Sequence, residues 1–231
     1  MLPGVSAEGE LRARRAAAEA AAALVEPGMT IGLGSGRAVW AVIERLVERE
    51  GVRAAVASER TRELASEAGI EIVELDGKAP LDLALDGADE VDGRLGLIKG
   101  GGGALLREKI VISAARRFVV VAETPKRVSR LGEHTRLPVE VVRFGWPDTR
   151  RRVAELLPDP ELRTVDDQPY VTDEGHLILD CTIPSAVDPA HLDVRLEGLP
   201  GVVEHGLFLG MAERALLGRP DGGVDVLEAP A

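Results

Sequence analysis

Short apolar runs alternate with helical patterns along the first half of the chain, from Met29 to about Glu123. The segment "RAVWAVIERLVERE" (37–50) carries apolar residues at helical spacing and lies between the strand-like runs "MTIGLG" (29–34) and "VRAAVA" (52–57). Strands that alternate with helices pair in parallel, and their helices cover both faces of the sheet. This half of the chain is therefore predicted to form a layered α/β domain.

The order of the patterns changes in the second half. Strand-like runs and helical patterns now follow one another as β-α-β-β-α-β: "PVEVV" (138–142), "DTRRRVAELL" (148–157), "LRTV" (162–165), "HLILDC" (176–181), "AHLDVRLEG" (190–198) and "GVVEHGLF" (201–208). This order predicts a split βαβ arrangement, in which two helices pack on one face of a four-stranded sheet. The tail (213–229) contains two short strands around a Pro-Asp-Gly-Gly turn, and we expect it to return to the first half.

These patterns divide the chain into two domains. Residues 1–131 and 206–231 are predicted to form a Rossmann-like α/β domain with a mostly parallel sheet, which carries the catalytic site. Residues 132–205 are predicted to form a smaller ferredoxin-like α+β domain with a role in oligomerisation. The small sheet and the apolar segment "GLFLGMAERALLG" (206–218) favour a homodimer or homotetramer, because exposed apolar patches usually mark contacts.

Composition excludes several classes of partner. The formal net charge of −11 and a pI of about 5.0 argue against nucleic-acid binding, and the basic cluster "RARR" (12–15) is interpreted as a solvated helix face. No run approaches the roughly 18 apolar residues of a membrane span, so we expect no membrane partner. Cys181 is the single cysteine, which excludes an intrachain disulfide and a cysteine-based zinc site and indicates a cytoplasmic protein.

The first glycine-rich loop, "IGLGSGRAVW" (31–40), joins a strand to a helix start, where amide groups and the helix dipole favour an anion. A dinucleotide-binding fingerprint would need its third glycine where Arg37 stands. A small phosphate group, held by the backbone amides and the Ser35 hydroxyl, fits this spacing better. A tight turn without a ligand is the alternative.

A second loop, "DGADEVD" (86–92), follows an apolar strand and carries two acids, Asp86 and Asp89, separated by the small residues Gly87 and Ala88. Carboxylates at the C-terminal end of a strand lie where open α/β sheets bind ligands. A solvated turn is one alternative. A divalent-cation site is another, but this spacing does not match a calcium loop and no histidine is near in sequence.

The third loop lies in "LIKGGGGALLREKI" (97–110), in which Lys99 ends a strand and four glycines precede a helix. Ordering each glycine costs about 0.5–1 kcal/mol relative to alanine, so the loop needs a compensating role. Glycine amides that point into a site can stabilise a developing oxyanion. Helical spacing lets one of Arg107 and Glu108 face the loop, and we predict that Glu108 does. A surface salt-bridge partner is the alternative role for this glutamate.

Together these segments resemble ribose-5-phosphate isomerase of the A type. The resemblance runs from about residue 10 to the C-terminus and rests on "GLGSG", "SERT", "LDGADEVD", "KGGGGALLREK", "LPVEV", "GHLILD", "PGVVEHGLF" and "GRPDG". It implies an aldose–ketose isomerase of the non-oxidative pentose phosphate pathway, which interconverts D-ribose 5-phosphate and D-ribulose 5-phosphate through an enediolate. It also implies that no metal or organic cofactor takes part.

The resemblance implies a role for each motif residue. Glu108 matches the proton acceptor, Lys99 matches the lysine near the reacting oxygens, and one of Asp86 and Asp89 assists opening of the sugar ring. The other expected contacts with the sugar or its phosphate are Ser35, Gly36, Arg37, Ala38, Ser58, Thr61, Gly87, Ala88, Gly100, Gly101, Gly102 and Lys126. The family commonly continues Gly-Ser-Thr after the hydroxyl residue of the first loop, whereas this chain has Gly36-Arg37-Ala38. Arg37 either replaces the two missing hydroxyls with a charge-assisted contact or points to solvent.

Two other functions compete with this one. A non-catalytic sugar-phosphate sensor is the first, although no DNA-binding helix-turn-helix is evident and Glu108 is retained. The second is an isomerase or lactonase that acts on another phosphosugar, which would be expected to recruit histidines to the site. The four histidines lie in or beside the predicted small domain, outside the three loops, and show no metal-ligand spacing: His134, His176, His191 and His205.

Overall fold

The computed structural model describes residues 6–47 and 49–228. Its helices are α1 (Ala7–Ala22), α2 (Arg37–Leu46), α3 (Glu59–Glu67), α4 (Leu105–Ser113), α5 (Trp146–Val153) and α6 (Pro189–Glu197). Its strands in chain order are β1 (Thr30–Leu33), β2 (Arg53–Val56), β3 (Glu71–Ile72), β4 (Leu83–Asp86), β5 (Glu90–Val91), β6 (Leu97–Ile98), β7 (Phe118–Glu123), β8 (Leu137–Val141), β9 (Glu161–Leu162), β10 (Thr164–Val165), β11 (Gln168–Pro169), β12 (Leu177–Cys181), β13 (Val202–His205), β14 (Leu207–Phe208), β15 (Arg214–Gly218) and β16 (Val224–Glu228). Within the described residues, no helix is both long and apolar enough to cross a membrane.

The largest sheet has seven strands in the order β16-β15-β7-β4-β1-β2-β3. Every neighbouring pair is parallel except β15 with β16, which is the antiparallel tail hairpin. Side chains alternate between the two faces, so Val119 and Val121 pack with α1 and α2 while Val120 packs with Ile112 of α4. The predicted parallel α/β layers and the return of the tail are confirmed.

Helix α1 lies across β7 and β15. Its buried face consists of small residues such as Ala13 and Ala17, which let the helix approach the sheet closely. A side chain at Gly218 would collide with the backbone of Ala13, so glycine is required at this crossing. The close crossing brings the polar residues beside Ala13 to the C-terminal end of β7.

A second sheet has the order β13-β8-β12-β9, with every neighbouring pair antiparallel. With α5 and α6 it forms the predicted ferredoxin-like β-α-β-β-α-β unit. One prediction was wrong in detail: "LRTV" (162–165) is not one strand, because β9 ends at Leu162 and β10 starts a separate hairpin at Thr164. Arg163 lies at the break, and its side chain bonds to groups outside both strands.

A third, three-stranded sheet of order β14-β6-β5 lies between the other two. The segment "GVVEHGLF" (201–208) was expected to be one strand, but it changes sheets at Gly206. The Gly206 N–H donates to Pro138 O (2.8 Å), and its carbonyl accepts from the Lys99 N–H (2.9 Å). A side chain at Gly206 would overlap the Lys99 carbonyl, so only glycine permits this crossing. Within "LGLIK" (95–99), only Leu97–Ile98 form a strand, β6, and this strand lies outside the parallel sheet.

Candidate functional site

A cavity of about 240 Å³ opens at the C-terminal ends of the central parallel strands. Most of the predicted site residues line it: Ser35, Gly36, Arg37, Ala38, Gly87, Ala88, Asp89, Lys99, Gly100, Gly101, Gly102, Glu108 and Lys126. Three do not contribute to the wall, namely Asp86, Ser58 and Thr61. The structure adds three lining residues that the sequence argument did not select: Arg14, Trp40 and Glu123.

One end of the cavity contains three buried charged groups. The Lys99 ammonium lies 2.8 Å from Asp86 Oδ2 and 3.2 Å from Glu108 Oε2, and it donates to the carbonyl of Gly87 at 2.7 Å. The three charged side chains are only 1–6% exposed. As predicted, Glu108 faces the loop, while Arg107 bonds to acids at the surface. We call Asp86, Lys99 and Glu108 the buried triad.

Two carboxyl groups share one ammonium in this triad, and burial raises the pKa of both. Burial raises the pKa of Glu108 to about 8; the neighbouring Asp86 adds to the rise and Lys99 opposes it. Burial raises the pKa of Asp86 too, but Lys99 and the amides of Gly87 and Ser35 oppose that rise. Burial alone would lower the pKa of Lys99, yet the two carboxylates outweigh it and raise that pKa, which keeps the ammonium charged. Both carboxyl groups are therefore harder to ionise than ordinary acids, and Glu108, with a pKa of about 8, can exchange a proton near neutral pH.

The glycine loop borders this triad, and its glycines meet three separate requirements. Gly100 and Gly103 have positive φ angles of +100° and +85°, which side-chain-bearing residues rarely adopt. A Cβ at Gly101 would lie 2.9 Å from the carboxylate of Asp89, to which the Gly101 N–H donates at 2.8 Å. Gly102 has open space where its side chain would be. The four glycines thus permit a tight turn and keep the backbone accessible from the cavity.

The first glycine loop forms the opposite end of the cavity. Gly36 is the N-cap of α2 with a φ of +95°, and no side chain caps the helix there. The amides at the start of α2 are therefore available to an anion. The Ser35 N–H donates to Asp86 Oδ1 (3.2 Å), which ties this loop to the buried triad.

Ser58 and Thr61 lie behind the first loop. The Ser35 hydroxyl donates to Ser58 Oγ (3.0 Å), the Ser58 hydroxyl to Thr61 Oγ1 (3.0 Å), and the Thr61 hydroxyl to the carbonyl of Gly34 (2.9 Å). The Trp40 indole N–H lies 3.3 Å from Thr61 Oγ1. These side chains support the loop from the protein interior.

Charged side chains from three elements meet beside the first loop. Arg14 Nε donates to Glu123 Oε1 (2.7 Å) and its Nη2 to Glu10 Oε1 (2.6 Å), while Arg37 Nη1 lies 3.3 Å from Glu10. Burial pushes the pKa of Glu10 upward, but the hydrogen bond and charge of Arg14, together with Arg37, outweigh it and leave that pKa below its ordinary value. Lys126 completes the group. Interpreting "RARR" as a solvated face was wrong for Arg14, whose side chain is 13% exposed.

Away from the cavity, Asp193, Glu197 and His205 bring possible ligand atoms within 4.8 Å of one another. The Leu207 N–H donates to Nδ1 of the buried His205 ring, so Nε2 carries the proton in the neutral ring and points at Asp193 Oδ1, 3.5 Å away. Burial lowers the pKa of His205 to about 4, which keeps the ring neutral. A protonated Nε2 cannot bind a metal, so this group is a histidine–carboxylate pair.

Known proteins resemble this chain over nearly its whole length. Residues 53–222 match the family model of ribose 5-phosphate isomerase A (phosphoriboisomerase A). The ribose-5-phosphate isomerase A of Roseiflexus castenholzii is 52% identical over 224 residues, which cover 94% of this chain and 95% of that protein. The structure of ribose 5-phosphate isomerase A from Methanocaldococcus jannaschii is 34% identical, with a TM-score of 0.89 over 95% of this chain and 99% of that one. A D-ribose-5-phosphate isomerase in complex with phospho-erythronic acid is 33% identical, with a TM-score of 0.89 over 94% and 98% of the two chains.

Proposed function

Since this chain belongs to the ribose 5-phosphate isomerase A family and is an aldose–ketose isomerase of ribose 5-phosphate and ribulose 5-phosphate, we propose that Glu108 is its proton-transfer group. The observation that carries this assignment is the placement of a buried carboxyl group beside Lys99 in the cavity wall, with a pKa raised to about 8. A carboxyl group with such a pKa can accept a proton and return it near neutral pH. An ordinary surface glutamate would be a much weaker base.

The chemistry uses Glu108 twice. Its carboxylate removes the proton from C2 of the open-chain aldose, and the electron pair moves to the aldehyde oxygen to give an enediolate. The carboxylic acid then returns the proton to C1, while one proton passes from O2 to O1. The Lys99 ammonium, whose side chain is 3% exposed, and the amides of the glycine loop stabilise the negative oxygen.

The structure favours different roles for the two aspartates. Asp89 lines the cavity and is available to sugar hydroxyls, so we assign to it the assistance in ring opening. Asp86 is fully buried, lies against Lys99 and accepts from the N–H of Ser35 and of Gly87. It therefore positions the ammonium and the first loop.

The phosphate group is assigned to the other end of the cavity. The amides of residues 35–38 at the start of α2 offer donors, and Arg37 and Lys126 supply positive charge. Arg14 lines this end as well and neutralises Glu10 and Glu123, which would otherwise repel a phosphate. Ser58 and Thr61 are assigned to holding Ser35 in place.

We also propose that residues 132–205 mediate a homodimer or homotetramer and that the enzyme works in the cytoplasm. Phe144, in the loop after β8, is 93% exposed, and Val194 of α6 is 66% exposed. Exposed apolar side chains that form one patch usually mark contacts between subunits, and we propose that these two belong to such a patch. The molar mass in solution checks the assembly, and a monomer at micromolar concentration would contradict it.

The test of the catalytic assignment is conversion of ribose 5-phosphate, measured with EDTA present, for the wild type and Glu108→Gln. We expect the variant to lose about 10²- to 10⁴-fold in kcat while still binding the substrate. Glu140→Gln is the matched control. Glu140 is also buried, but it lies on β8 of the second sheet and its carboxyl group bonds to Thr172 and His176. Its kcat should stay within about threefold, as for substitutions that leave the reaction centre intact.

Two outcomes would overturn the assignment. Glu108→Gln with near-normal kcat would mean that another group moves the proton. A wild type that binds phospho-erythronic acid but converts no phosphorylated aldose would support the sensor, whereas conversion of only a different phosphosugar would support the other alternative.

A further inference from the structure

The carbonyl groups of the glycine loop are held by side chains from the ferredoxin-like unit. Arg163 Nη1 donates to Gly100 O (2.9 Å) and to Gly101 O (3.2 Å), and the Tyr170 hydroxyl donates to Gly102 O (3.2 Å). Three consecutive carbonyls of the loop thus bond to two side chains of the ferredoxin-like unit: Arg163, between β9 and β10, and Tyr170, directly after β11. Neither Arg163 nor Tyr170 lines the cavity.

Arg163 is itself fixed in place. Its Nε donates to Asp180 Oδ2 (2.8 Å) and its Nη2 to Asp180 Oδ1, which is a two-pronged ion pair. Its guanidinium lies 5.9 Å from the centre of the Tyr170 ring. The Arg163 N–H donates to Ile178 O, and the Arg163 carbonyl accepts from the Tyr170 N–H. The donor that reaches the glycine loop is therefore held by both main-chain and side-chain bonds.

Holding a carbonyl also sets the direction of the amide in the same peptide. A peptide group is planar, and in its trans form the N–H points opposite to the C=O. In the Gly100–Gly101 peptide the carbonyl points to Arg163 and the N–H points to Asp89, which lines the cavity. The cavity therefore lies on the side of the loop opposite Arg163. Because the Gly101 carbonyl also bonds to Arg163, the Gly101–Gly102 peptide directs the Gly102 N–H toward the cavity.

The amide of Gly102 suits the reaction for a second reason. Gly101 N–H is engaged by Asp89 and Gly103 N–H by Gly100 O (3.0 Å). Among the described residues, no acceptor is found for the Gly102 N–H. Four residues without side chains would otherwise sample many backbone conformations, so this donor needs external support to stay aimed.

We propose that Arg163, oriented by Asp180 and assisted by Tyr170, is a positioning residue for the isomerisation. It holds the glycine-loop peptides so that the Gly102 N–H meets the oxygen that becomes negative in the enediolate. This inference rests on the proposed function, since it assigns a support to the same site. It also gives the ferredoxin-like unit a part in catalysis in addition to any role in assembly.

The experiment compares Arg163→Met with Arg107→Met. Arg107 also bonds to the ferredoxin-like unit, through Asp173 (3.2 Å) and Glu174 (2.6 Å), but it does not contact the glycine loop. Removing one oxyanion donor costs about 10²- to 10³-fold in kcat, and misdirecting one should cost less. We expect Arg163→Met to lower kcat by about 10- to 100-fold with KM within about threefold, and Arg107→Met to change neither by more than about threefold.

A second measurement separates positioning from general damage to the fold. The carboxylate of phospho-erythronic acid resembles the two oxygens of the enediolate, so its affinity should fall in Arg163→Met by about the factor lost in kcat. We expect inorganic phosphate to bind at the other end of the cavity, to which the phosphate group is assigned, so its affinity should not change. Arg163→Lys, which can donate to one carbonyl, should recover part of the loss.

Several outcomes would overturn the inference. The inference is overturned if Arg163→Met does not differ from Arg107→Met in kcat, or if its loss lies entirely in KM with unchanged affinity for phospho-erythronic acid. If Arg163→Met does not fold, Tyr170→Phe and Asp180→Asn replace it. We expect kcat to fall about 2- to 5-fold in Tyr170→Phe and about 10-fold in Asp180→Asn. An unchanged kcat in both variants overturns the inference. An active wild type, an inactive Glu108→Gln and an unaffected Arg163→Met together contradict this inference alone and leave the proposed function standing.

Discussion

The two ends of the cavity hold charge in opposite ways. At the reaction end the buried triad is almost completely removed from water, and each charge depends on its neighbours. At the end assigned to the phosphate, Arg37 is 67% exposed, although its partner Glu10 is only 12% exposed. A buried charge without a partner is strongly destabilising, whereas an exposed one is solvated in any case. If the first glycine loop binds the phosphate as proposed, this explains how it can carry Arg37 and Ala38 in place of two hydroxyl residues while the buried triad keeps the residues that the resemblance implies.

The largest expected effect comes from the same substitution made at each end. Lys99→Met leaves two buried carboxyl groups without their ammonium, and we expect it to lower the free energy of unfolding by about 3–5 kcal/mol. Lys126→Met, at the half-buried phosphate end, should change it by less than about 1 kcal/mol. Urea unfolding of both variants measures the difference. Equal losses would show that burial does not distinguish the two ends.

The pH dependence of activity is the next largest effect. Because Glu108 must be ionised to accept a proton and its pKa is raised to about 8, kcat/KM should fall about tenfold for each pH unit below that value. An ordinary glutamate would give a flat profile down to about pH 4.5. Rates between pH 6.5 and 9.5 locate the acid limb. A limb near pH 4.5 would contradict the burial effect.

The same shift has a consequence for stability with a defined sign. Between the ordinary glutamate pKa and about 8, the folded protein holds a proton on Glu108 that the unfolded chain has released. Stability therefore falls as the pH rises through this window, and Glu108→Gln should remove that fall. Glu10→Gln is the contrasting control, because the pKa of Glu10 is lowered and its ionised form stabilises the fold.

The smallest effect is expected at Arg37. Arg37→Ala removes a charge-assisted contact at an exposed position, so we expect KM for ribose 5-phosphate to rise about 3- to 10-fold, with kcat within about twofold. The double variant Arg37→Ser/Ala38→Thr restores the family's common hydroxyls and should return KM to within about threefold of the wild type. Steady-state kinetics at low salt provide both values. An unchanged KM in Arg37→Ala would mean that the side chain serves only Glu10.

The sequence pattern predicted the features that depend on residues close to one another in the chain. The alternation of strands and helices predicted the parallel sheet, and helical spacing limited the charge that faces the glycine loop to Arg107 or Glu108. Pattern failed where a role depends on distant packing. Arg14 reaches the cavity because α1 crosses β7, and Arg163 reaches the glycine loop because two sheets meet there. The sequence did contain a signal for Arg14. Ala13 precedes it and Ala17 follows one helical turn later, and these two buried alanines place Arg14 at the border of the buried face of α1.

The order of strands in the large sheet also bears on how the protein is made. Strand β7 has a buried apolar sequence, and its neighbour on one side is β15, which is synthesised about ninety residues later. While the ribosome adds the intervening segment, the edge of β7 has no partner and can pair with another chain. The ferredoxin-like unit, by contrast, is contiguous in sequence and can fold as it emerges. We therefore expect the growing chain to depend most on chaperones in the interval between the synthesis of β7 and that of the C-terminal hairpin.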